Sequence, residues 1–310
     1  MLILESVLVV AQQVLMLFLL IGVGWVGKKV GLLNDAGADQ LSRISMNIIT
    51  PCVIIHSLQR EKDPALFAEL GIGIAACAGI ILAATFLSRF FFRRSPEEDR
   101  RVLRFAMSYP NSGYMGIPLV QATLGDDAVV YAAAAVIGFN LTLWTSGVIL
   151  SGGKKEMSLR KVFVNPGIIG FSIAFLLFCF EITLPTPLGG AVKMFADMNT
   201  PVAMLAIGIF VANTNLKECF AQTKLYAVCA LRLIAFPALL VLALYPLGLH
   251  YEMYASAIIT ACAPTAAVTA IFAARYKLNT GLGAQAVTLC TLLSILTMPL
   301  FVGVVRAITL

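Results

Sequence analysis

The sequence predicts an all-α integral membrane protein: ten transmembrane helices in two inverted five-helix repeats, with helices 4 and 9 broken and crossing. Three observations predict it. Of 310 residues, 60% are hydrophobic and only 12% charged, whereas soluble domains carry about 25% charged residues. Landmarks of the first half recur roughly 150 residues later. Two apolar stretches also carry proline-centred breaks where a membrane helix should run on.

At about 20 apolar residues per crossing, the spans fall near 6–27, 36–58, 66–88, 102–124, 127–150, 162–181, 188–212, 224–246, 251–274 and 283–305. The opening MLILESVLVV has Glu5 where a secretory signal places basic residues, so this run is expected to be a retained span. The loops are too short for a soluble domain. With the N-terminus outside, sixteen of the 22 Lys and Arg fall in loops on the cytoplasmic side: Lys28, Lys29, Arg89, Arg93, Arg94, Arg100, Arg101, Arg104, Lys154, Lys155, Arg160, Lys161, Lys217, Lys224, Arg275 and Lys277. The other side holds Arg60, Lys62, Lys193 and Arg306, and Arg43 and Arg232 lie inside spans 2 and 8. The positive-inside rule then puts both termini on the non-cytoplasmic side. It also explains the basic excess as topology rather than a nucleic-acid surface. The Arg-rich loop 89–104, mixed with Glu97, Glu98 and Asp99, reads as a topology anchor.

Six of seven cysteines lie in apolar segments, there is no C-x-x-C, and the histidines are His56 and His250. Neither a disulfide framework nor a metal site is indicated, and no cofactor is implied.

The repeat rests on three offsets. Thr50-Pro51 and Thr200-Pro201 are 150 residues apart, Pro110 and Pro264 154, and Thr145 and Thr297 152. The halves are about 1–153 and 154–310. Because five is odd, the second half enters from the opposite side, an inverted repeat of the kind that marks secondary transporters.

The breaks explain what the repeat is for. Span 4 carries YPNSGYMGIPL, Tyr109 to Leu119. Pro110 lies about 12 Å from one surface and Pro264 about 15 Å from the other, at 1.5 Å per residue. Half the hydrocarbon core is about 15 Å, so both breaks reach the midplane, as a crossing pair does. Broken backbone at that depth must be buried or line a cavity. After each break a helix restarts, from Gly113-Tyr114 and from Thr265-Ala266, with free N–H groups and a positive dipole end facing the centre. An anion is the natural guest. No Lys or Arg adjoins either proline in sequence; Arg104 is six residues from Pro110.

PNSGYMGIPL, APTAAVTAIFAARY in span 9 and TLCTLLSILTMPL in span 10 resemble the auxin efflux carrier family, which includes plant carriers and bacterial malate and malonate permeases. NIITPCVIIHSL in span 2 and DMNTPVAMLAIGIF in span 7 extend the resemblance over essentially the whole chain. It implies a scaffold of helices 1, 2, 6 and 7, a transport domain of helices 3–5 and 8–10, a homodimer, and elevator-like movement. It also implies that Asn111 contacts a substrate carboxylate beside a crossover shaped by Pro110 and Pro264. The long cytoplasmic loop of many plant members is absent, since Ser151 to Lys161 is short.

The candidate substrate-binding residues are therefore Pro110, Asn111, Ser112, Gly113, Tyr114, Asn140, Pro264 and Thr265. Asn140 and Thr142 suit either ligand or helix–helix roles. Asn47, Thr50, Pro51, Asn199, Thr200 and Pro201 are expected to line or gate the path, with their polar groups buried beside Thr-Pro kinks. Asp197 reads as an i,i+4 partner of Lys193, with gating or proton coupling as the alternative. Arg232 is expected to snorkel toward the cytoplasm, and His56 to sit at an interface. The expected partners are a small organic anion and membrane lipid, and the expected location is the cytoplasmic (inner) membrane. The span cores offer no paired carboxylates and no histidine pair, so an enzyme is disfavoured. A channel and a sodium-coupled symporter of the bile-acid type are the alternatives. The symporter would need oxygen ligands such as Asn111, Ser112, Thr265 and Thr269, and acidic residues are missing there.

Cysteine labelling is expected to place residues near Lys154 in the cytoplasm and both termini on the other side; a cytoplasmic C-terminus would remove the five-plus-five inverted reading.

Overall fold

A computed structural model of the chain describes residues 2–61, 64–158, 160 and 163–309. Lys62 and Lys161 of the charge pattern lie outside the described residues. Among those described, the regular structure is helical: α1 (Leu2–Lys29), α2 (Asp35–Ile44), α3 (Thr50–Ser57), α4 (Pro64–Leu87), α5 (Glu97–Ser108), α6 (Ile117–Leu124), α7 (Val129–Thr142), α8 (Val148–Gly152), α9 (Pro166–Cys179), α10 (Thr186–Asp197), α11 (Asn199–Ala212), α12 (Leu216–Ala221), α13 (Thr223–Ala230), α14 (Phe236–Leu244), α15 (Tyr251–Ala261), α16 (Val268–Arg275) and α17 (Thr280–Thr309).

Among the described residues six stretches are long and apolar enough to cross a membrane: Ala11–Lys29, Ala65–Phe90, Asp126–Gly152, Thr186–Ala212, Thr223–Leu247 and Thr280–Ile308. The other four expected spans differ for visible reasons. Pro166–Cys179 is a shorter apolar helix. α2 carries Asp35, Asp39 and Arg43, and the stretches holding Pro110 and Pro264 are broken in the middle.

Prolines inside long helices are accommodated by wide turns. Pro51, Pro118 and Pro237 each follow a π-helical turn, Ser45–Ile49, Ser112–Gly116 and Leu231–Ala235. In each case the residue before proline donates five residues back: Thr50 to Ser45, Ile117 to Ser112 and Phe236 to Leu231. The proline ring has no N–H and crowds the carbonyl four residues earlier, and the widened turn relieves both problems. A fourth wide turn, Leu143–Gly147, contains no proline. There Thr142, Thr145 and Ser146 turn their hydroxyls back onto helix carbonyls. Pro201 instead sits in the first turn of α11, where its missing N–H is not needed.

Polar contacts gather the loops at two ends. At one end Asp35 accepts from Lys28 at 2.9 Å and from Asn213. These hydrogen bonds, Lys28's first, hold the Asp35 carboxyl below its ordinary range. Arg101 donates to the Ser151 carbonyl and Asn279 to Asp99 at the same end. At the other end Arg60 pairs with Asp127 and Tyr131 donates to Glu69.

The core falls into groups. One extends through α4, α5, α7, α8 and α13–α17 around Phe105, Tyr109 and Phe272. A second joins α1, α3 and α11 to α6, α7 and the end of α15. A third links α3 and α9 to α4 and α7. Large apolar side chains such as Leu19, Phe86, Leu176, Leu242 and Leu296 remain exposed on the perimeter, which suits lipid contact.

α1 and α11 touch backbone to backbone. A Cβ on Gly208 would meet Gly24 Cα and Trp25 N at 2.8 Å, and the Ile21 carbonyl closer still. Gly208→Ala is therefore expected to lower the melting temperature of the purified protein, as overpacking by about 1–3 kcal/mol does. Gly22, with nothing within 4 Å, is the control, and Gly22→Ala should leave the melting temperature unchanged or raise it.

Candidate transport site at the helix crossover

The two breaks meet. Pro110 and Thr265 form an isolated antiparallel bridge, in which Asn111 N donates to Pro264 O at 2.7 Å and Ala266 N to Tyr109 O at 2.9 Å. The ends of α5 and α15 are then accounted for group by group. Thr265 Oγ1 donates to Ala106 O at 2.9 Å, and Ser112 Oγ to Thr260 O at 3.3 Å. Arg232 donates to the carbonyls of both Ser108 and Ala261.

Surrounding side chains fix the crossing. Tyr109 stacks on Phe105 with ring centroids 4.4 Å apart, and its hydroxyl donates to Thr142 O at 2.9 Å beside Ser146 Oγ at 2.7 Å. Gly147 leaves room for that ring, since a Cβ there would lie 3.1 Å from it. Gly116 lets the restarted helix approach α15, where a Cβ would meet Thr260 Cα at 3.1 Å.

A cavity of about 170 Å³ opens against the restarted helices, over ten times the roughly 10–15 Å³ that one water needs. The span 4 wall is Pro110, Asn111, Ser112, Gly113 and Tyr114, and the span 9 wall is Ala266, Ala267, Val268 and Ile271. Asn47 and Thr50 face it from the α2–α3 helix, Phe139, Asn140 and Trp144 from α7 and its wide turn, and Asn165 from the start of α9. No Asp, Glu, Lys, Arg or His lies among these lining residues. Asn111 lines the cavity, is 6% exposed, and has its Nδ2 buried without a hydrogen-bond partner.

Five expected residues, Pro110 to Tyr114, thus share this wall with Asn140. Asn140 lines the cavity and makes a helix–helix contact, its Oδ1 accepting from Asn165 Nδ2 at 3.0 Å. The Thr142 hydroxyl bonds within its own helix, to the Gly138 and Phe139 carbonyls, while the Thr142 carbonyl accepts from Tyr109. Pro264 and Thr265 stand behind the wall, because their polar groups are spent on the bridge and on Ala106. Asn47 is not buried as expected. It is exposed on the cavity side, and its Nδ2 donates to Arg43 O at 2.7 Å. Pro51 packs instead on α9, where a Cβ on Gly170 would meet it at 2.8 Å.

Asp197 and Asn199 line a different cavity of about 160 Å³ with His56, Arg60, Asp126 and Asp127. Asp197 pairs with Lys193 at 2.8 Å. Asn199 is buried with both amide atoms unpartnered. Thr200 and Pro201 do not line either cavity.

Arg232 corrects the sequence reading most sharply. It does not snorkel; it is fully buried and places a cation at the crossover where none was expected. Its signal was a lone arginine in an apolar run, which in a membrane span marks a functional site by default. Asn165 was also missed. Asn-Pro-Gly at a helix start was its signal: Asn165 Oδ1 caps Gly167 N at 2.8 Å.

A family model described as "Membrane transport protein" matches residues 9–302. The chain belongs to the auxin efflux carrier family. As a member of a transporter family rather than an enzyme family, it is a multi-pass membrane transport protein. An uncharacterized transporter of Methanothermobacter thermautotrophicus is 23% identical over 295 residues, 94% of this chain and 96% of its own. A putative malonate transporter of Rhizobium meliloti is 27% identical over 243 residues, 74% of each chain. Auxin efflux carrier component 1 of Arabidopsis thaliana is 27% identical over 128 residues, 40% of this chain and 20% of the plant protein.

Proposed function

We propose that this carrier moves small organic anions, carboxylates in particular, across the cytoplasmic membrane by alternating access at the crossover. In this reading the four shorter or broken segments also cross, giving ten spans in two inverted halves. The antiparallel meeting of repeat-spaced Pro110 and Pro264 supports that. So does the shared core of the segments expected as spans 3–5 and 8–10, which matches a transport body distinct from α1–α3 and α9–α11.

The observation that carries the substrate class is the unpartnered, buried Asn111 Nδ2 at a cavity walled by two helix starts. Both offer positive dipole ends, each worth about 0.3–1 kcal/mol at exposed sites and up to about 2 when partly buried. A carboxylate oxygen is an acceptor that Asn111 can reach without competition from any acidic side chain on the wall. The relative named for malonate makes malonate the first probe.

A hydrogen bond to a charged group contributes about 1.5–3 kcal/mol, and 1.4 kcal/mol is a factor of ten. Asn111→Ala should therefore weaken malonate binding roughly ten- to a hundredfold while the protein still folds. Asn111→Asp should be worse, because it sets a like charge against the guest. Calorimetry on purified protein checks both; wild-type affinity in the two variants would place the site elsewhere. Transport into vesicles is expected to persist when sodium is replaced by potassium, because no carboxylate on the wall can neutralise a bound cation. Loss of uptake in potassium would point to a sodium-coupled symporter.

A further inference from the structure

The four helix ends at the crossover cannot by themselves favour an anion. Each end carries roughly half a charge, positive at an N-terminus and negative at a C-terminus. Two restarted helices and two terminated ones converge on the bridge, so their ends sum to about zero. A guest placed there would feel two attractive and two opposing poles.

Arg232 changes that sum. It sits in the wide turn Leu231–Ala235 between α13 and α14, fully buried. Nη1 reaches the Ser108 carbonyl at 3.4 Å and Nη2 the Ala261 carbonyl, the last residues of α5 and α15. Its single positive charge equals the roughly two half-charges of those ends. Among the described residues no salt bridge joins it to a carboxylate; its hydrogen bonds go to the two carbonyls. The helix ends are thus its main compensation, and the N-terminal ends facing the cavity are left uncancelled.

We propose that Arg232 is a specificity-determining positioning residue. Without touching the guest, it neutralises the two C-terminal poles and makes the crossover cavity select an anion over a neutral molecule of the same shape. The inference rests on the anion-carrier reading above.

The test compares malonate, succinate and benzoate with malonamide, succinamide and benzamide, by calorimetry on purified wild type, Arg232→Gln and Arg232→Lys. Wild type should prefer the acids. In Arg232→Gln the preference should fall at least tenfold, through weaker acid binding with amide affinity changed less than twofold. Arg232→Lys should keep the preference within about threefold even at a lower melting temperature, because it keeps the charge but loses the two-carbonyl fork. A purely structural arginine gives the opposite pattern: acids and amides weaken together in Arg232→Gln. Equal weakening, or an unchanged preference, overturns the proposal. If Arg232→Gln does not fold, Arg232→Lys decides alone, and loss of its acid preference overturns it. Wild type that binds none of the acids overturns the anion reading itself. Wild type that binds acids and amides equally overturns only the role of Arg232.

Discussion

Two backbone hydrogen bonds, Asn111 N to Pro264 O and Ala266 N to Tyr109 O, are the constraint on which the rest of this molecule depends. A proline at the centre of a buried helix removes a donor and crowds a carbonyl. In lipid the freed groups have no water to turn to. One break would leave several such groups, each costing several kcal/mol in hydrocarbon. A second break crossing it antiparallel supplies partners of the right polarity. What the bridge cannot satisfy defines the remaining chemistry. The terminal carbonyls of α5 and α15 are met by Arg232, Thr265 and Ser112. On the opposite side the restarted helices face a cavity with their first turns.

This arrangement demands close tolerances, and the surrounding sequence meets them with small residues and hydroxyls. Gly116 admits the Thr260 backbone, Gly147 admits the Tyr109 ring, and Thr142 and Ser146 hold the tyrosine hydroxyl. Tyr109 belongs to the same core as Phe105, Phe272 and the α13–α14 segment that carries Arg232. The crossing, its counter-charge and their supports therefore form one packed body. The α1–α11 contact, by contrast, depends on Gly24 and Gly208 in a separate group.

Covalent rules made the breaks, their spacing and the helix restarts legible from sequence. Proline disfavours a continuous helix, and beside Asn111-Ser112-Gly113 and Thr265 the breaks at Pro110 and Pro264 were legible, with a 154-residue offset that needs only counting. The role given to Asn111 came instead from the family resemblance of the PNSGYMGIPL stretch. Other assignments depended on which way a side chain turns, and periodicity does not fix that near a wide turn. The π turn Ser45–Ile49 shifts the helix phase and leaves Asn47 facing the cavity rather than packed. Thr265 sat at the restart, but its hydroxyl is taken by Ala106 of the other half, a contact with no local signature. Arg232 is 122 residues from Pro110 in the chain, and only the fold brings the two ends it serves together. Its assignment as a snorkelling side chain followed from local sequence, where no carboxylate offers a partner. The partner turned out to be backbone.

The two cavities give the last step. Asn111 and Asn199 are both buried amides with unpartnered atoms, one on the wall of each cavity. Leaving such a group unsatisfied costs about 1–3 kcal/mol, a cost that a guest or a shift of the surrounding layer would relieve. Ile49 and Met115, fully buried, share one core group with Val53 and Ile117, which line the second cavity. This layer joins α3 to the span 4 helix and is apolar, so sliding along it breaks no hydrogen bond between those side chains. The crossover, by contrast, is held by a network of directional bonds that a sliding motion would have to carry intact. Polar contacts do cross elsewhere between these bodies, Tyr114 to the Ser42 carbonyl, Asn165 to Asn140 and Arg60 to Asp127, so a motion past the layer exchanges these few bonds while the crossover network stays intact. Moving the site as a unit costs fewer directional bonds than reshaping it, which is the packing argument for the alternating-access reading proposed above.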